Sequence, residues 1–183
     1  MFAKRAPNSA ARRHSKANRF HDGKAADTML TPDIATLLQE PAMMIMSTET
    51  DSQWPTIGRC VGARVTGPQL FEVIFSGNRF PEIRRHITNG CRIAVTLVRL
   101  RNYVTFQIKG SALAEPLDSA DAALVETYRQ RISDFFQASG VHQEAIEHWI
   151  GGTALLRARI IVSEVYDQTP GPRAGTAVGL SPA

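Results

Sequence analysis

The chain is poor in cysteine and in aromatic residues, and it contains no long apolar run. Only two cysteines, Cys60 and Cys91, occur in 183 residues. They lie far apart and outside any CxxC spacing, which excludes a disulfide scaffold and a zinc site built on cysteine pairs. Both are flanked by strand-forming residues, so they read as small buried groups of a protein kept in a reducing cytoplasm. The longest early apolar stretch, Ala42-Met43-Met44-Ile45-Met46, falls far short of the ~20 residues that span a membrane. The histidines form no metal pattern, since His142 and His148 are not at a same-face helical spacing and His86 stands beside Arg84 and Arg85. No GxSxG, P-loop or GxGxxG is present, so serine hydrolase, NTPase and dinucleotide-fold readings have no support.

What the chain does carry is unevenly placed. Its formal net charge is +4, but residues 1–27 hold seven Lys and Arg against Asp22 and Asp27. That segment alone is +5, so the rest of the chain is −1. The basic balance belongs to a tail of low apolar periodicity, and it argues against a nucleic-acid face on the folded domain. The expected organisation is a disordered tail over 1–27, one domain over 28–175 and a flexible end over 176–183.

Order begins near Thr31-Pro32-Asp33, a helix start followed by Ile34, Leu37 and Leu38 at helical spacing. Strands are expected over Ala42–Ser47, Thr56–Val65 and Leu70–Phe75, with a polar turn over Thr48–Gln53. A short helix over Asn78–Asn89 precedes two long strands, Cys91–Leu100 and Tyr103–Leu113. Their alternation is Ile93, Val95, Leu97 and Val104, Phe106, Ile108. Leu117–Ser139 is the clearest helix, with Ala123, Val125, Tyr128, Ile132, Phe135 and Phe136 as its buried stripe and Asp118 or Ser119 as its cap. A helix over Gln143–Ile150 and a strand over Leu155–Tyr166 complete the domain, before an irregular Pro/Gly-rich end. Six mostly antiparallel strands with few crossovers favour a closed barrel, because closure removes exposed edges. The expected class is α+β, a six-stranded antiparallel split β-barrel flanked by helices.

Two stretches carry chemistry. Arg59 and Arg64 are five apart on one strand, which puts them on opposite faces unless a bulge intervenes, and Gly58 and Gly62 permit one. Guanidinium suits phosphate because its planar fork is permanently charged and donates in pairs. In Ser76-Gly77-Asn78-Arg79 a hydroxyl, backbone N–H groups and a guanidinium converge on a helix start, an anion site in principle.

In order and spacing these elements resemble the pyridoxamine 5′-phosphate oxidase-like family of FMN-binding split barrels, over about 31–175. The carriers are Arg59-x-Val61-x-x-Arg64, Phe75-Ser76, Asn89-Gly90-Cys91-Arg92, the run from Tyr103 to Gly110, and the ending from Asp167 to Pro172. The resemblance implies a flavin-dependent oxidoreductase acting on a small molecule, as a homodimer with FMN at its interface. It places Arg59 and Arg64 at the phosphate and ribityl side and Cys60, Val61 and Gly62 along the isoalloxazine edge. Phe75 and Ser76 would lie near the ring or phosphate, and Thr105 or Gln107 would come from the partner subunit. Where the family carries Ser/Thr-Arg-Lys at the helix start, this chain has Phe80-Pro81-Glu82, leaving Arg79 or Arg84 to stand in. The family's C-terminal arginine- and tryptophan-containing motif is missing, which argues against vitamin B6 oxidation. Alternatives within the same fold are a barrel that has lost flavin and serves as a binding or structural dimer, and a haem binder with His86, His142 or His148 as ligand.

Overall fold

A computed structural model describes residues 29–49 and 54–179; the expected tail over 1–27 and most of the turn after Thr48 lie outside them. The elements are α1 (Pro32–Leu37), β1 (Ala42–Thr48), β2 (Thr56–Gly67), β3 (Leu70–Ser76), α2 (Pro81–Asn89), β4 (Cys91–Arg99), β5 (Thr105–Glu115), α3 (Ser119–Ala138), α4 (Gln143–Ile150), β6 (Leu155–Asp167) and β7 (Thr176–Ala177). The strands run antiparallel in the order β3-β2-β1-β4-β5-β6-β7, and β3 also pairs with β6. Six strands therefore close into a barrel, with β7 added outside.

Alternation drives the closure. Met44 and Met46, Ile93, Val95 and Leu97, Phe106 and Ile108, and Phe71, Val73 and Phe75 all point into one interior with Ala158, Ile160 and Val162. Phe71 and Phe75 are fully buried, and each such side chain contributes about 1.5–3 kcal/mol of transfer free energy. Three register shifts bend the sheet: β2 carries an extra residue against β3 at Val61 and again at Thr66, and β6 carries one, Ser163, opposite Lys109 and Gly110 of β5. At Gly110 a Cβ would lie 2.1 Å from the Ile161 carbonyl oxygen, a close approach that only glycine allows.

The long helix α3 is opened by a reciprocal cap: Asp118 accepts from the Ala120 amide at 2.9 Å, while its own amide donates to Asp121 at 2.7 Å. Val125 packs with Val61 and Ile74 on the outside of β2 and β3, and Ile132 joins Ile146 and Ile150 of α4 in a separate small core. Leu124, not the expected Ala123, completes the stripe over the β2 bulge. The domain ends differ from the sequence reading in physical detail. α2 begins at Pro81, because Ser76 to Phe80 are spent closing a loop; β5 begins at Thr105, after a turn in which Tyr103 has φ 58°. Thr176 and Ala177, expected in the flexible end, pair as β7 with Asp167 and Tyr166. Among the described residues no helix is long and apolar enough to cross a membrane, and no group of His, Cys, Asp or Glu is placed to hold a metal ion.

Candidate functional site

The β2 bulge at Val61 cancels the odd spacing of the two arginines. Cys60 and Ala63 face the barrel core, so Arg59 and Arg64 both point outward. Their surroundings are opposite. Arg64 donates to Glu72 and to Asp118, each at 2.7 Å, and lies 3.1 Å from Asp121. Arg157 joins the same carboxylates and Arg159 pairs with Glu72 and Glu115, so four acids absorb three guanidinium groups where α3 leaves the barrel. The hydrogen bonds from Arg64 and then Arg157 hold the Asp118 carboxyl far below the usual range.

Among the described residues Arg59 has no such partner. Its guanidinium carbon lies over the Trp149 ring, 4.5 Å from the centroid, a cation–π contact that brings no neutralising charge. Partial burial and then the charge of nearby Arg79 lower its pKa. Arg79 is fastened through Nη1 alone, donating to the carbonyl oxygens of His148 at 2.6 Å and Gly151 at 3.1 Å at the end of α4. Those carbonyls carry the negative end of the helix dipole, so they accept a cation without neutralising it. Arg84, one turn into α2, is exposed, with its Cδ lying where a side chain on Gly77 would go. Among the described residues no carboxylate pairs with Arg59, Arg79 or Arg84.

The loop that presents Arg79 is locked to the segment after α4. Ser76 donates to the Thr153 carbonyl at 2.7 Å and also bonds Asn78, Asn78 donates to the Thr153 hydroxyl at 2.7 Å, and the Gly77 amide donates to Ala154 at 2.9 Å. Arg129 of α3 holds the Gly152 carbonyl at 3.0 Å. Gly152 is required there, with φ 132° and a Cβ position only 2.6 Å from Ser76. Glu82, the acid at the family's lysine position, is turned to Arg85 at 3.0 Å and so is compensated on its own helix.

The other expected residues are placed as follows. Cys60 is buried in the core, where burial raises its thiol pKa strongly, and Cys91 is pushed up to about 11 by burial and then by Glu49. Val61 and Gly62 lie beneath Leu124 and Val125 of α3, and Phe75 is fully buried. Thr105 is buried and donates to the Tyr103 carbonyl at 2.8 Å; Gln107 reaches Thr96 at 3.4 Å on the outer face of the sheet. Both nitrogens of buried His86 are engaged, by Thr48 at 2.8 Å and Arg85 at 3.1 Å, whereas His142 and His148 are exposed on α4. The sequence reading missed Trp149, whose place at Arg59 depends on α4 folding back across the outside of the barrel.

Solved structures similar to this chain include a pyridoxamine 5′-phosphate oxidase-related, FMN binding protein from Nostoc punctiforme, 12% identical, covering 84% of this chain and 97% of that one at a TM-score of 0.44. Group A Streptococcus HupZ is 16% identical, with 80% and 100% covered at a TM-score of 0.48. A NimC/NimA family protein from Clostridium acetobutylicum is 6% identical, with 79% and 88% covered at a TM-score of 0.45. A pyridoxamine 5′-phosphate oxidase-related protein is thus among the structural neighbours. No protein-family model and no curated protein matches the sequence.

Proposed function

We propose that the chain binds FMN, with Arg59 and Arg79 on the phosphate and Arg84 at the rim, and acts as a flavin-dependent oxidoreductase on a small molecule. The observation that carries this reading is the pair Arg59 and Arg79, both set against α4 and neither meeting a carboxylate among the described residues, in a protein that pairs its other outward β2 arginine three times over. Uncompensated guanidinium groups held together by a ring face and helix carbonyls are suited to a dianionic phosphate. The residues fit the phosphate end of the cofactor; the Val61–Gly62 backbone lies under α3, so the ring is not assigned to it. Bound flavin supplies hydride chemistry, and the protein's part is to anchor and orient it.

The reading includes a second copy of the chain against the outer face of β1, β4 and β5. That face presents half-buried Met43, Ile45, Ala94 and Val98 with Thr96 and Gln107. A cleft of about 560 Å³ opens beside it, with Arg92, Glu49, Lys109 and Glu164 in its lining, and holds charges of both signs that two copies can exchange.

The test is FMN titration of the purified protein, followed by the flavin absorbance band. Arg59→Ala and Arg79→Ala should each weaken FMN about tenfold or more, as expected for loss of a charge-assisted hydrogen bond of about 1.5–3 kcal/mol. A protein that carries no flavin and takes up none at micromolar FMN would overturn the proposal.

A further inference from the structure

The two clamp arginines come from different elements, and like charges placed side by side repel. Left alone, Arg59 and Arg79 would turn away from each other into solvent, and a ligand would have to gather them. One element prevents this. Helix α4 supplies the ring beneath Arg59 and, at its C-terminal turn, both acceptors of Arg79. The ring is itself fixed: Trp149 packs against Phe136 of α3, 6.1 Å between centroids, at the edge of the Ile132, Ile146 and Ile150 core. None of these contacts consumes what a phosphate needs. The ring brings Arg59 no neutralising charge, and both hydrogen bonds of Arg79 go through Nη1, leaving its Nε and Nη2 edge for a ligand.

We propose that Trp149 is a positioning residue of the clamp, holding Arg59 beside Arg79 so that the phosphate meets a preformed pair. This inference rests on the FMN reading above and adds to it a residue that touches the cofactor only through Arg59. It predicts a coupling specific to the phosphate. Riboflavin, which lacks the phosphate, is the internal control.

The experiment is a double-mutant cycle on the full chain, with affinities for FMN and riboflavin measured for wild type, Arg59→Ala, Trp149→Leu and the double variant. Trp149→Leu should weaken FMN by about fivefold to tenfold, the scale of a partly desolvated cation–π contact, and leave riboflavin unchanged. In the Arg59→Ala background the same substitution should alter FMN affinity less than about twofold, since neighbours that act through one another are non-additive. Trp149→Phe, which keeps a ring face, should recover most of the loss. If Trp149→Leu does not fold, Trp149→Met removes the ring while keeping apolar bulk and takes its place in the cycle.

Equal loss of FMN and riboflavin, or losses that multiply in the double variant, would show that Trp149 serves only the fold and would overturn the inference while leaving the FMN reading intact. An Arg59→Ala variant that binds FMN as wild type does would remove both, and that result is visible in the single variant alone.

Discussion

Arg64 meets Glu72, Asp118 and Asp121 within 3.1 Å, while Arg59, on the same side of the same strand, meets a tryptophan ring and feels the charge of Arg79. The two residues are equivalent in sequence, and the bulge at Val61 makes them equivalent in direction. Their difference lies in what packs over them. Arg64 stands against the acidic start of α3, so its charge is spent on stability; Arg59 stands against the Trp149 face of α4, and neither Glu144 nor Glu147 of that helix pairs with it. Arg64→Ala should therefore leave FMN affinity within about twofold. It should cost about 2 kcal/mol of stability, because it strips a partner from nearly buried Glu72 and Asp121 while Arg157 still serves them. Chemical denaturation beside FMN titration checks both halves. A loss of FMN affinity with stability unchanged would return Arg64 to the phosphate.

At the scale of elements, α3 depends on the ionic group at its own first turn. Asp118 caps the helix and accepts from Arg64 and Arg157, whose hydrogen bonds depress its pKa below the ordinary carboxylate value. A depressed folded-state pKa means that this stabilisation is fully present above the unfolded value and is lost as pH falls through the folded one. Thermal melts should show stability dropping below about pH 4. Asp118→Asn should lower the melting temperature at neutral pH and flatten the acid fall; a variant with the wild-type acid limb would assign that limb to other carboxylates. The cap was legible in the sequence, as was the existence of α3. Which residues face inward was legible only in part, because the helix leans on the β2 bulge. That displacement brings Leu124 inward and leaves Ala123 exposed.

At the scale of the whole molecule, the proposed homodimer is open to direct measurement. Light scattering on the purified protein should give twice the chain mass, and Ile45→Lys, placed on the outer face of β1, should shift it toward a single chain. A wild-type protein of single-chain mass would remove the partner-supplied half of the proposed cofactor site. The sequence by itself determined the strands and their inward faces, because a period of two in apolar residues such as Ile93, Val95 and Leu97 is a local property. It also marked a helix after Ser76, but placed its start at Asn78 where the structure has Pro81, because the loop that holds Ser76 and Asn78 to Thr153 is a long-range contact. Only the tertiary structure decided the rest. Closure joins β3 to β6 across some eighty to ninety residues, and two of the three carboxylates of Arg64 and the ring beneath Arg59 arrive from the start of α3 and from α4, far along the chain. A side chain's charge can be read from its own position, but whether that charge is already neutralised depends on neighbours that the fold brings from elsewhere.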